Sequence, residues 1–196
     1  MAPDRPPDPV AVAIATTELL ERLGIAHFAD GSLASSIHGE PRSTVDIDLV
    51  ADVTPDHVLA LTAAFGEDFY VSEDAIREAL RLGTSFNAIH LATAVKVDVF
   101  MVGNDPFNPE RLAHRERARL LADPPHDVYV DRAEHIVLRK LEWYRRGGDI
   151  SERQWRDVLG VLRVKRGQLD EARLDTWAAR LGVADLLERA RRDAED

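Results

Sequence analysis

Two carboxylates stand two positions apart in Asp46-Ile47-Asp48, inside a run from Val45 to Ala51 that alternates apolar with polar residues. Period-two alternation is the pattern of a strand with one buried face, so Val45, Ile47 and Leu49 fall on one side and Asp46, Asp48 and Val50 on the other. Burying the apolar side aims both carboxylates at whatever covers the sheet. Adjacent unpaired carboxylates repel and raise each other's pKa, and a divalent cation removes that penalty. Mg²⁺ prefers hard oxygen ligands, usually one or two protein carboxylates together with substrate phosphates, and Mn²⁺ accepts the same donors. Asp98 is a third carboxylate in a second alternating run, where Val95, Val97, Val99 and Met101 share one face and Lys96, Asp98 and Phe100 the other. If the two runs pair side by side, three carboxylates converge; the plainer alternative is that Asp98 pairs with Lys96 on its own strand. A converged triad fits two-metal phosphoryl chemistry, with metals about 3.5 to 4 Å apart clamping the attacking and leaving oxygens and the third aspartate as general base. The triplet alone is weak, because 21 aspartates in 196 residues produce about two such triplets by chance.

Gly31-Ser32 supplies the complementary part. A glycine lets the backbone approach closely, and a helix starting there offers free N–H groups and the positive end of its dipole to a phosphate, with Ser32 Oγ as one more donor. An ordinary Gly-Ser turn is the bland alternative. Thirteen residues separate Ser32 from Asp46, room for a short helix, a turn through Gly39-Glu40-Pro41 and a strand. Arg42 is a weaker phosphate candidate, with Glu40 as its plainer partner.

Elements must position these groups. Asp8 and Pro9 start a helix along Val12, Ala15, Leu19 and Leu23, closed by Gly24. A strand follows over Ile25 to Ala29, then a brief helix from Gly31 to Gly39 and the Asp46 strand. Helices are expected from Thr54-Pro55 to Gly66 and from Ser72 to about Leu82, with short strands over Phe69 to Val71, Phe86 to Leu91 and Val95 to Val102. Residues 116 to 121 and 127 to 130 flank Asp123-Pro124-Pro125 as a hairpin. After Arg132 the pattern is helical, broken at Gly147-Gly148, Gly167 and Gly182. The expected fold is α+β: a mixed sheet of about five strands flanked by helices (1–131) and a C-terminal helical bundle (132–196).

The 196 residues carry 25 Lys or Arg, 35 Asp or Glu and no cysteine, for a net charge of −10. Disulfide frameworks, zinc-thiolate sites and cysteine nucleophiles are excluded. The seven histidines show no metal-ligand spacing. Val10 to Ala15 is too short to span a membrane and lacks a basic leader, so a cytoplasmic protein is expected. The first 100 residues hold 6 basic and 16 acidic groups, whereas residues 132–166 hold 10 basic and 5 acidic. Trp143, Trp155 and Trp177 are expected in the core rather than as stacking platforms, Arg115, Arg117 and Arg119 as edge protection along one strand, and Ser151 to Gln154 as a capping box.

Gly31-Ser32, then Arg42-Ser43-Thr44-Val45-Asp46-Ile47-Asp48, then Val97-Asp98-Val99 resembles, in order and spacing, the signature of the DNA polymerase beta type nucleotidyltransferase superfamily over roughly residues 10–102. The resemblance implies a small mixed sheet backed by helices, Gly31 and Ser32 at a nucleoside triphosphate, and Asp46, Asp48 and Asp98 at Mg²⁺ (or Mn²⁺). The motif has Gly-Ser where the family has Gly-Gly. Glu134 to Leu141, with Arg156-Asp157, is similar to helices of abortive-infection type bacterial nucleotidyltransferases of toxin–antitoxin systems, in which a lysine faces the nucleotide phosphates. Lys140 takes that place here, in the apolar stripe Ala133, Ile136, Val137, Leu141 and Tyr144, while Arg139 shares the polar face with His135, Glu142 and Arg146. A lysine aimed inward wants an anion, and this chain has 3 lysines against 22 arginines. A stem that snorkels its ammonium into water is the alternative.

The expected function is transfer of a nucleoside monophosphate from a triphosphate to a hydroxyl acceptor, a tRNA end, a protein or a small molecule, with a cognate toxin or antitoxin as a further partner. Two rivals stand beside it: a non-catalytic nucleotide-binding or antitoxin protein that keeps the fold, and a phosphohydrolase on the same triad.

Overall fold

Each alternating run becomes a strand of one sheet. The computed structural model describes residues 9–41, 46–103 and 105–195. Asp8, Arg42, Val45 and the Pro-rich first residues lie outside them. The strands are β1 (His27–Ala29), β2 (Ile47–Ala51), β3 (Phe69–Tyr70), β4 (Ser85–His90), β5 (Lys96–Met101), β6 (Glu116–Leu121) and β7 (His126–Val130). Their order is β3-β4-β5-β2-β1-β7-β6, with β2·β5 and β1·β7 parallel and the other pairs antiparallel. Seven strands replace the expected five or so, because two-residue β3 and the β6–β7 hairpin join the same ladder, the hairpin through the single register pair Ala29↔Val130. β6 is one of the two edge strands, and its arginines are engaged: Arg117 with Glu21 at 3.0 Å, and Arg119 with Asp127.

The helices are α1 (Pro9–Arg22), α2 (Gly31–His38), α3 (Val58–Phe65, preceded by a 3-10 turn at Pro55–His57), α4 (Glu73–Leu82), α5 (Phe107–Ala113), α6 (Ala133–Arg146), α7 (Glu152–Val164), α8 (Glu171–Leu181) and α9 (Ala184–Glu195). Their ends are chemically marked. Ser72 Oγ accepts from Ala75 N at the start of α4, Gly83 closes it in the left-handed region, and Ser151 Oγ accepts from Gln154 N at the start of α7. The sequence pattern shows no element over α5. Pro109 sits in its first turn, where a missing N–H costs no intrahelical bond, and Asp105 Oδ1 accepts from Phe107 N, so a segment that reads as a proline loop is helical.

The chain divides into two compact units, one from residues 1–33 and 43–130, the other from residues 34–42 and 131–196. The first holds the sheet, α1, α3, α4, α5 and the first turn of α2, with Phe28, Ile47, Leu49, Phe65, Ile76, Val97 and Val99 in its core. The second holds the rest of α2 and α6 to α9. There α6 packs against α7, α8 and α9, and Glu134, His135, Arg139 and Lys140 are all buried beside Ile136, Val137 and Leu141. The expected polar face carrying His135 and Arg139 is therefore interior: neighbours on several sides leave a helix no broad solvent face. The tryptophans depart from a plain core role as well. Trp143 is half exposed with the Arg146 guanidinium over its ring, while Trp155 stacks on Tyr144, lies under Arg189 and donates from Nε1 to Asp193 at 3.2 Å.

Candidate functional site

β2 and β5 run parallel with Asp48 opposite Asp98 and Ile47 opposite Val97. Partners in parallel register point to the same side of the sheet. Ile47, Leu49, Val97 and Val99 are buried, so Asp48 and Asp98 project together from the opposite face. Asn87 of β4 is in register with Asp98 and donates to its Oδ1. Asp46 lies just before β2 and is exposed.

Lys96 decides the electrostatics of this face. Its Nζ is 2.7 Å from Asp98 Oδ2, with the lysine side chain 43% and the aspartate 14% exposed. The bond to Asp98, then the charges of Asp98, Asp46 and Asp48, hold this ammonium above the usual lysine range. Asp98 holds this cation directly, so the pairing of Asp98 with Lys96 on its own strand is present in the structure. Among the described residues no three His, Asp or Glu side chains are arranged as a metal cage. Mg²⁺ does not require one, since phosphate oxygens ordinarily complete its shell. Carboxylate oxygens are the donor type a divalent cation takes, and one of them, on Asp98, already holds an ammonium.

Gly31 opens α2 at φ +58°, and a Cβ built there would lie 1.9 Å from Asp48 Oδ2. Only glycine fits: the left-handed backbone is strained for other residues, and the carboxylate takes the side-chain space. The positive end of α2 thus adjoins the Asp48 carboxylate, the favourable sign for a negative group. Asp30 N donates to Asp48 O at 2.9 Å, fixing the turn before Gly31 to β2, and Ser32 is buried. The structure therefore brings Gly31, Ser32, Asp48 and Asp98 to one end of the β2–β5 pair.

Lys140 belongs to the other unit. Its Nζ is 2.6 Å from Asp157 Oδ2, both side chains more than nine-tenths buried. The anion that an inward lysine needs is a carboxylate of α7. Sequence reading missed two participants near the aspartates, Asn87 and the Asp30–Arg111 ion pair at 2.6 Å. Asn87 is one of many polar strand residues, and Arg111 sits in the helix hidden by its prolines.

The mixed sheet flanked by helices matches nucleotidyltransferase-like folds among solved structures. The chain aligns with the solution structure of the antibiotic-resistance factor ANT(2'')-Ia over 94% of its length and 97% of that chain, with TM-score 0.57 and 14% identity. It aligns with an antigenic nucleotidyltransferase-like protein from Paracoccidioides brasiliensis over 93% of this chain and 91% of that one, with TM-score 0.55 and 19% identity. A third likeness, to the lincomycin-bound lincosamide antibiotic adenylyltransferase LnuA, covers 81% of this chain and 98% of that one, with TM-score 0.50 and 12% identity. At these identities the likeness is one of fold. No family model and no curated protein matches the chain. No helix among the described residues is long and apolar enough to cross a membrane.

Proposed function

We propose that this chain is a divalent-metal-dependent nucleotidyltransferase that moves the nucleoside monophosphate of a triphosphate, ATP first among them, onto a hydroxyl of a small-molecule acceptor. The observation that carries the reading is Asp48 in register with Asp98, with Gly31 pressed against Asp48. Asp46, Asp48 and Asp98 would hold Mg²⁺ or Mn²⁺, which when bound neutralises triphosphate charge and polarises the α-phosphoryl oxygens. Gly31 and Ser32 present the N-terminus of α2 to the triphosphate. Asp98, released from Lys96, accepts the proton of the acceptor hydroxyl. The bond from that oxygen to the α-phosphorus forms as the bond to the bridging oxygen breaks, and pyrophosphate departs. Lys96, released in turn, is a flexible cation beside that departing charge. Within the helical unit, Lys140 is matched by Asp157. A small hydroxylated acceptor is favoured over tRNA or protein by two fold neighbours, one an antibiotic-resistance factor and one an adenylyltransferase bound to lincomycin.

The Lys96–Asp98 bond favours a second reading, nucleotide binding without turnover by a partner protein, an antitoxin among them. Both readings meet one experiment. The full chain is incubated with α-labelled nucleoside triphosphates, Mg²⁺ or EDTA, and three acceptor sets: hydroxylated antibiotics including a lincosamide, total RNA, and cell lysate. Transfer to the small molecules that EDTA abolishes, and that falls by roughly 100-fold or more in Asp46→Asn and Asp48→Asn, is the expected result. Label on RNA or protein redirects the acceptor, and growth arrest on expression that Asp46→Asn relieves supports a toxin role. Release of free monophosphate indicates hydrolysis. Nucleotide binding with no transfer leaves the non-catalytic partner.

A further inference from the structure

Arg111 of α5 is the largest fully buried side chain of a charged type, 2% exposed, and it reaches the residue before Gly31. Its Nη2 is 2.6 Å from Asp30 Oδ2, a close charge contact rather than an aligned hydrogen bond. Nη1 donates to Asn108 Oδ1 at 3.1 Å, and Asn108 Nδ2 donates to Val102 O at 3.0 Å, tying the guanidinium to the exit of β5. Two rings flank it, Phe28 at 4.9 Å and Phe107 at 5.9 Å from the guanidinium carbon. A charge so far out of water is costly unless paired and held. Hydrophobic packing of this helix alone would be met by leucine or methionine.

What the pair holds is the turn carrying Gly31. Asp30 joins β2 through its own N–H to Asp48 O, so a shift of its carboxylate moves the backbone that lies against Asp48 Oδ2. An arginine suits the task better than a lysine: its charge persists in a dry site, and while one arm meets Asp30 the other donates to Asn108. It also pairs the Asp30 charge, which is itself largely out of water.

We infer that Arg111 and Asp30 are positioning residues for nucleotidyl transfer, setting the distance between the N-terminus of α2 and the Asp48 carboxylate; this rests on the proposed reading of the site. The test uses the full chain with Arg111→Met, Arg111→Lys and Asp30→Asn, each assayed at least 15 °C below its own unfolding midpoint. A positioning role lowers kcat about 10- to 100-fold in Arg111→Met with a smaller change in KM for the triphosphate, as expected of displaced reacting groups, and Arg111→Lys recovers part of it. Amide hydrogen exchange of residues 30–33 quickens about tenfold or more in Arg111→Met while β4 and β5 keep their protection. Wild-type kcat and KM in folded Arg111→Met, or in Asp30→Asn if the former does not fold, overturn the inference and leave only a structural strut. If the wild-type chain transfers nothing, the reading of the site has failed, and exchange at 30–33 decides the positioning claim by itself: unchanged rates in the variants refute it.

Discussion

Gly31 concentrates two constraints at one atom. A methyl group there meets Asp48 Oδ2 at 1.9 Å while the backbone stays at φ +58°. Gly31→Ala therefore loses about 1–2 kcal/mol of stability from the left-handed backbone alone and displaces Asp48; thermal unfolding and transfer rate measured together should both fall. Lys96→Met removes the ammonium that Asp98 now binds. Mn²⁺ affinity, read by electron paramagnetic resonance, should tighten about two- to fivefold, the range of an exposed ion pair, while kcat drops. Unchanged affinity would mean that Lys96 does not compete for the carboxylates. His27 sets a pH dependence. Burial first, then the charges of Arg115 and Arg117, outweigh the Nδ1 bond to Ile25 O and the Glu21 charge and lower its pKa below the ordinary 6.5. The unfolded chain thus takes up this proton before the folded one, so stability is full above about pH 6.5 and declines as pH falls below it, by at most about 1.4 kcal/mol per pH unit. His27→Phe should flatten that part of a midpoint-against-pH curve. Asp48 and Asp98 were legible in the sequence because strand alternation is local. Asp30–Arg111 was not, since an ion pair between a turn and a remote helix leaves no periodic trace.

Among the elements, α6 shows where one-dimensional patterns mislead. Its apolar stripe was visible, yet the residues opposite, His135 and Arg139, are buried too, because α7, α8 and α9 all pack on it. Such a helix must neutralise its charges internally, and Lys140 does so with Asp157. Removing one partner leaves the other uncompensated, so Lys140→Met should cost about 3–5 kcal/mol in urea unfolding, and Lys140→Met with Asp157→Leu should regain most of it. A raised KM for triphosphate with unchanged stability would instead favour the phosphate-facing role implied by the family resemblance. The helix starts at Ser72 and Ser151 were readable because capping is short-range chemistry. α5 escaped because its two prolines disguise a permitted first turn.

For the whole molecule, the sequence pattern divides the chain once, near residue 131, and the structure shows a second unit that also takes residues 34–42 from the N-terminal half. No composition shift marks that segment, since its membership is decided by contacts remote in sequence: His38 Nε2 bonds Asp131 O at 2.8 Å, and Gly39 and Gly160 are small where this segment meets α7. A fragment ending at residue 131 strips residues 34–42 of those partners. It should bind a hydrophobic dye and unfold at a lower midpoint than the full chain; equal midpoints and no dye binding would argue against the division.

Helix α2 carries a consequence for descent and engineering. Its first turn serves the sheet and its remainder serves the bundle, within eight residues of continuous backbone. No single junction can therefore exchange the tail as a cassette: a chimera must splice in the middle of that rod as well, and lineages that trade one half must carry a foreign insert through the other.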